Sequence, residues 1–376
     1  MRPLAYLDHN ATSPLRPAAF DAMAEAMRAG GNPSSVHASG RRARAIVDKA
    51  RREVASLASA EPSEIVFTSG GTESNNLALS GAGRGRVLVS AVEHDSVRRA
   101  APQAEVLPVD GEGVLDLAAL ERALAASAEP ALVSVMLANN ETGVLQPIAE
   151  VVRVARSAGA LVHCDAVQAA GKVPVDLHDL GVDYLSLSAH KIGGPTGVGA
   201  LFLRKGAPLS PALHGGGQES NRRAGTENVA GIAGFGAAAV LATPGLDLAV
   251  LRDSLEFSLV QIAPTARFFG VGARRLCNTS CVSMPGVPAE TQVMGLDLAG
   301  VCISAGAACS SGKVQRSPVL EAMGVAAAEA ACAIRISLGW NTESTDIERL
   351  ITAWQDLYIR VRQSDIFHTG SRARAA

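Results

Sequence analysis

The chain has 376 residues, 48% of them hydrophobic, and a formal net charge of -2: enough length for a sizeable core, and too little charge of one sign to mark a nucleic-acid partner. No apolar run reaches the length of a membrane-spanning helix, and residues 1–10 lack the basic and apolar segments of a signal peptide, so the expectation is a cytoplasmic protein of two domains with no membrane partner. Its six cysteines, Cys164, Cys277, Cys281, Cys302, Cys309 and Cys332, show no CxxC spacing and are read as thiols, with no metal site.

In chain order, residues 6–14 (Tyr-Leu-Asp-His-Asn-Ala-Thr-Ser-Pro) are dense in turn formers and read as a polar arm outside the core. Residues 17–29 and 35–59 read as helices, the second capped by Ser34 or Ser35 and carrying arginines on its wet face. Short apolar runs at 64–67, 87–91, 106–109, 132–137, 161–164, 184–187 and 200–203 then alternate with helical or turn-rich segments. That alternation predicts an α/β fold, with a mainly parallel seven-stranded sheet covered by helices on both faces.

Beyond the glycine-rich stretch 215–226, helices are predicted at 227–242 and 246–262. The composition then changes. Strands at 268–270, 279–284, 301–304 and 333–338 interleave with helices at 290–298, 317–323 and 345–362, which predicts a smaller α/β domain. The boundaries drawn are 16–250 for the large domain, and 1–15 with 251–376 for the small one. The tail 370–376 is expected to fray.

Chemistry enters at Lys191. The chain has only five lysines, and this one follows an apolar strand and precedes a glycine turn at 193–199 that lets backbone approach backbone. Desolvation pushes a lysine's pKa down and makes it a nucleophile for carbonyls. Asp165 ends another apolar strand one crossover earlier. In open parallel sheets ligands gather at the carboxyl ends of strands, so the two residues should face one crevice. A third segment, 65–77, reads as strand, glycine turn and helix start, with Gly71 and Thr72 as phosphate candidates. It is neither a P-loop nor a GxGxxG turn. Each part alone also fits an ordinary role, a hairpin lysine or a capped helix. Together, Schiff-base lysine, pyridinium partner and phosphate site describe pyridoxal phosphate.

The cysteines divide by surroundings. Cys277, Cys281, Cys302 and Cys332 lie on or beside apolar strands and read as small buried hydrophobes, with Cys164 packed in the crevice wall. Cys309 sits among Ala, Ser and Gly, which predicts an exposed loop thiol with reactive chemistry.

These segments, together with 32–37 (Asn-Pro-Ser-Ser-Val-His), 93–95 (Glu-His-Asp), 139–143 (Asn-Asn-Glu-Thr-Gly), 188–191 (Ser-Ala-His-Lys), 215–226, 304–312 and 334–337 (Ile-Arg-Ile-Ser), resemble cysteine desulfurases of the NifS/IscS type, within the aspartate-aminotransferase-like fold of pyridoxal phosphate enzymes. The resemblance covers nearly the whole chain. It implies that Lys191 holds the cofactor aldehyde, Asp165 the pyridine nitrogen and Gln168 the phenolic oxygen. It implies that Gly71, Thr72, Ser188 and His190 hold the phosphate, and that Thr226 reaches the phosphate of the other subunit of a homodimer. His94 would stack on the ring and serve in proton transfer, and Asn140 and Arg335 would hold the substrate carboxylate.

The resemblance also implies the reaction. L-cysteine becomes L-alanine, and its sulfur passes to Cys309 as a persulfide and on to an acceptor such as an iron-sulfur scaffold protein. Residues 220–222 (Ser-Asn-Arg) and Ala224 depart from the family's usual segment. Asn tolerates a left-handed backbone almost as Gly does, so the loop is expected to keep its shape. The alternatives are a selenocysteine lyase or an aminotransferase of the same fold, which would not depend on Cys309, and a nucleotide-binding module using residues 69–75.

Overall fold

The computed structural model describes residues 4–243, 248–305 and 316–372. The chain divides into two compact units: Thr12–Asn140 with Val144–Leu246, and Met1–Ala11 with Glu141–Gly143 and Asp247–Ala376.

The larger unit is built on a seven-stranded sheet. Its spatial order is Ile65–Thr68, Gly199–Leu203, Tyr184–Ser188, Leu161–Asp165, Ala131–Ser134, Arg86–Ser90 and Glu105–Leu107. Gly199–Leu203 runs antiparallel to both neighbours and the other strands run one way, so their carboxyl ends lie along one edge of the sheet. Strands Ile65–Thr68, Ala131–Ser134, Tyr184–Ser188 and Gly199–Leu203 are buried at every position, which is why most of them read as near-continuous apolar runs, with Tyr184–Ser188 admitting Ser186 and Ser188.

Helices Pro17–Ala29 and Ala38–Leu57 both pack on Val229–Leu241. The small residues of that last helix set the closeness of approach. A Cβ on Gly234 would lie 2.6 Å from Met23 Cγ, and one on Gly236 would lie 2.8 Å from Ala50 Cα. The cap of the second helix differs from the expectation. His37 takes the place of Ser34 or Ser35, its Nδ1 accepting from the Gly40 N–H at 3.3 Å, because the helix starts at Ala38.

In the smaller unit, strands Ser304–Ala305, Ala333–Ser337, Thr279–Ser283 and Arg267–Phe268 form an antiparallel sheet in that order. Helices Ala249–Ile262, Ala289–Leu298 and Ser344–Arg372 belong to the same unit. The core centres on Trp354, fully buried, with its ring stacked on Tyr358 at 6.2 Å. The final helix continues to Arg372, so residues 370–372 are helical where fraying was expected.

The amino-terminal arm is a further correction. Ala5–Tyr6 is a strand paired in parallel with Val301–Cys302, Leu7 is fully buried, and His9 and Asn10 are buried too. Its turn-forming residues hid this because their polar groups are satisfied inside the unit. The Asn10 N–H donates to Ser337 Oγ at 2.9 Å and Asn10 Nδ2 donates to Thr279 Oγ1 at 2.9 Å. Among the thiols, Cys164, Cys281 and Cys332 are buried as expected, whereas Cys277 and Cys302 are only half-buried.

A close backbone approach in the larger unit is at Gly199. A Cβ there would stand 2.6 Å from the Gly70 carbonyl carbon and 2.7 Å from the Leu187 oxygen. Backbone cannot retreat as a side chain does. Gly199→Ala is therefore expected to cost about 1–3 kcal/mol of stability, by the usual scale of overpacking, read as a lower urea midpoint. A midpoint equal to wild type would refute the close approach.

Candidate active site

The carboxyl edge of the large sheet carries most of the residues singled out by the sequence. Gly71 and Thr72 follow strand Ile65–Thr68, His94 follows Arg86–Ser90, and Asn140 follows Ala131–Ser134. Asp165 and Gln168 end or follow Leu161–Asp165, and Ser188, His190 and Lys191 end or follow Tyr184–Ser188. Those last two strands are parallel neighbours with Asp165 opposite Ser186, which brings Asp165 and the Lys191 turn to adjacent strand ends.

Asp165 is 7% exposed, and its carboxylate is held from two sides. Asn75 Nδ2 donates to Oδ2 at 2.7 Å, and the Val167 N–H donates to Oδ1 at 3.0 Å. A buried carboxylate is costly unless donors of this kind meet it. Asn75 comes from helix Gly71–Gly81 and also donates to Ser96 Oγ at 2.8 Å. Ser96 in turn meets His94 Nδ1 at 2.8 Å through its hydroxyl and at 3.1 Å through its N–H, so the exposed His94 ring is tied at one nitrogen.

Below this polar layer the titratable neighbours are kept neutral. Burial, the largest cause, raises Glu93 to about 8, with the nearby Asp165 adding to the rise and bonds from Ser90 and Met136 opposing it. Burial likewise lowers His163 to about 4, its ring nitrogens meeting Ser134 Oγ at 2.8 Å and Ser186 Oγ at 2.9 Å. Cys164 is fully buried, and its thiol is raised well above its usual range by burial and by Asp165. His190 is lowered to about 4, by burial first and then by the adjacent Lys191 charge. A neutral His190 keeps one ring N–H as a donor and leaves the other nitrogen as an acceptor.

The phosphate candidates also meet. Helix Gly71–Gly81 starts after Gly70 with no side-chain cap among the described residues. A Cβ on Gly71 would come 2.9 Å from Val167 Cγ2 and 3.5 Å from Ser188 Cβ, so only glycine lets the helix start this close to the two strand ends. An uncapped helix start beside a serine is a place for an anion. The residues present therefore fit pyridoxal phosphate: an anchored carboxylate for its ring nitrogen, a lysine on the next strand end, and a helix start for its phosphate.

The remaining expected residues belong to other segments of the chain. Thr226 is exposed, at the end of a loop held by two arginines: Arg51 makes a bidentate pair with buried Glu219 at 2.9 and 2.6 Å, and Arg223 Nε donates to Glu73 at 2.9 Å. In that loop Asn221 does take a left-handed backbone at φ 63°, and so do Glu219 and Ser220. Arg335 belongs to the smaller unit, where its Nη2 donates to Asp8 Oδ1 at 2.8 Å while Ser304 Oγ donates to Asp8 Oδ2 at 2.8 Å. Cys309 lies outside the described residues.

Asn75, Ser96, Glu93 and Asp8 were assigned no role from sequence. Asn75 and Glu93 lie inside segments already singled out, and their signal was a polar side chain next to an apolar strand.

The family profile described as aminotransferase class-V matches residues 5–350. The chain belongs to that family. A cysteine desulfurase of Cereibacter sphaeroides is 47% identical over 363 residues, covering 92% of this chain and 93% of that protein. Cysteine desulfurase IscS of Dictyoglomus turgidum is 40% identical over 381 residues, covering 96% of each. Among solved structures, a NifS-like protein from Rickettsia africae superposes with a TM-score of 0.89 at 37% identity, covering 94% of this chain and 99% of that one.

Glu93 gives a test of this electrostatics. Its folded pKa lies above the unfolded value, so the folded state holds an extra proton between the two. Its contribution to stability is full below about 4.5 and is lost as pH rises to about 8. Glu93→Gln, neutral throughout, is expected to remove that part of the decline in urea midpoint across the window. An unchanged slope would mean that Glu93 ionises normally.

Proposed function

We propose that the protein is a pyridoxal-phosphate-dependent cysteine desulfurase that converts L-cysteine to L-alanine and delivers the sulfur, by way of a persulfide on Cys309, to an acceptor protein. The observation that carries this reading is the anchored carboxylate of Asp165 beside the Lys191 strand end, in a chain similar over 92–96% of its length to proteins named cysteine desulfurase. Those names favour desulfuration over the selenocysteine lyase and aminotransferase alternatives. A solved structure titled SspA in complex with cysteine, 31% identical with a TM-score of 0.78, supports cysteine as the substrate class.

Bound through Lys191, pyridoxal phosphate supplies an electron sink for the substrate's α-carbon. Asp165 keeps the proton on the ring nitrogen, and Asn75 and the Val167 amide keep Asp165 in place. Gln168 would donate to the phenolic oxygen, while Gly71, Thr72, Ser188 and neutral His190 would hold the phosphate. His94, tied at Nδ1 by Ser96, would stack on the ring and serve in proton transfer. Lys191 would also be the base for the substrate's α-proton. Asn140 and Arg335 take the substrate carboxylate.

Sulfur transfer then needs a second thiolate. Cys309 attacks the substrate sulfur, an S–S bond forms as the C–S bond breaks, the electron pair stays with carbon, and protonation there yields alanine. A free thiol is only a few per cent ionised at neutral pH, so His94 is assigned the proton exchange that activates it. The enzyme is a homodimer in which Thr226 of one protomer serves the partner's phosphate. It acts in the cytoplasm, and its acceptors include scaffold proteins of iron-sulfur assembly.

Cys309→Ala is expected to fold, hold the cofactor and bind cysteine, yet release neither sulfide nor alanine at an appreciable rate. Cys281→Ala, which changes a buried thiol, should keep the chemistry. Turnover by Cys309→Ala would overturn the role of Cys309 and revive the lyase reading.

A further inference from the structure

Lys172 belongs to none of the roles assigned above. It follows Gln168 by one helical turn, and its Nζ donates both to the Gln168 main-chain oxygen at 2.9 Å and to Gln168 Oε1 at 3.0 Å. Gln168 itself is buried. An ammonium has donors only, so the carboxamide atom that meets it is the oxygen and not the nitrogen. The second bond, to the backbone of the same residue, pins the ammonium where it can impose that choice. The two ends of a carboxamide are nearly equal in shape, so the partners it meets decide which way the group faces.

We propose that Lys172 is a positioning residue for the cofactor: it holds the Gln168 oxygen toward itself and so turns the amide nitrogen, the donor end, to the phenolic oxygen. The inference rests on the reading that pyridoxal phosphate is carried by Lys191 with Gln168 at that oxygen. The phenolic oxygen is anionic when the cofactor is bound through a lysine. An amide nitrogen there donates to it, and a flipped amide would set oxygen against oxygen. Lys172 also puts a positive charge behind the amide, which favours the anionic oxygen over distance.

Lys172 is half-buried, and Lys172→Met keeps its length while removing both donors and charge. The apo form of this variant is expected to melt with wild-type apo protein. It should bind added pyridoxal phosphate about tenfold more weakly, the scale of one hydrogen bond to a charged group, and show a shifted absorbance maximum for the bound cofactor. Lys172→Arg, also a pure donor with a charge, should restore both. Because Lys172 acts through Gln168, adding Lys172→Met to Gln168→Leu should weaken binding no further.

Wild-type affinity and spectrum in Lys172→Met, or additive losses in the double variant, would overturn the proposal. Lys191→Ala separates the two levels. If it binds the cofactor with an unchanged visible band, the reading of Lys191 has failed. If its band is lost while Lys172→Met is unaltered, only the role of Lys172 has.

Discussion

The structure of the site depends on one constraint: a carboxylate buried at the end of a strand must be met by donors. Left alone, the buried Asp165 carboxylate would pull the strand end toward water. Its partners come from two places, the turn that follows it and Asn75 on helix Gly71–Gly81. For Asn75 to reach it, that helix must lie close on strands Leu161–Asp165 and Tyr184–Ser188. The glycines follow from this. Gly71 lets the helix begin against Val167 and Ser188, and Gly199 lets the neighbouring strand pass the Gly70 backbone. A requirement on one charge thus sets where an uncapped helix start comes to rest, and with it the place for a phosphate.

The same constraint orders the surroundings electrostatically. Burial favours the protonated form of Glu93, raised to about 8, and the neutral form of His163, lowered to about 4, so neither competes as a charge with the Asp165 carboxylate. Ser134 and Ser186 meet the two ring nitrogens of His163, and Ser90 donates to Glu93 Oε1, by hydrogen bonds that need no net charge. Through Asn75 and Ser96 the network extends to His94, so the group assigned to the ring's face is fixed by the network that fixes the group assigned to its nitrogen.

Much of this was legible in the sequence because it is written in local patterns. Apolar runs gave the seven strands of the large sheet, and residues ending those runs gave Asp165, Ser188 and Lys191. Asn75, Glu93 and Lys172 were not legible because their meaning depends on partners distant in the chain or on which end of an amide a neighbour meets. The arm at 6–14 misled for a related reason. Turn formers usually mean a wet loop, but here Asp8, Asn10 and the backbone around them find their partners among residues near 300 and 337, and the segment becomes core. The helix cap at His37 was missed because histidine caps seldom, and serines stood one turn earlier.

The account stands or falls on whether the lysine beside the anchored carboxylate is the one that carries the cofactor. Borohydride reduction of the protein loaded with pyridoxal phosphate fixes the cofactor to whichever lysine bears it, and peptide mass spectrometry then reads the position. With only five lysines in the chain, each can be resolved. The account predicts one added pyridoxyl phosphate group, on the peptide containing Lys191. Attachment at Lys172, Lys205 or another lysine, or no attachment at all, would contradict it.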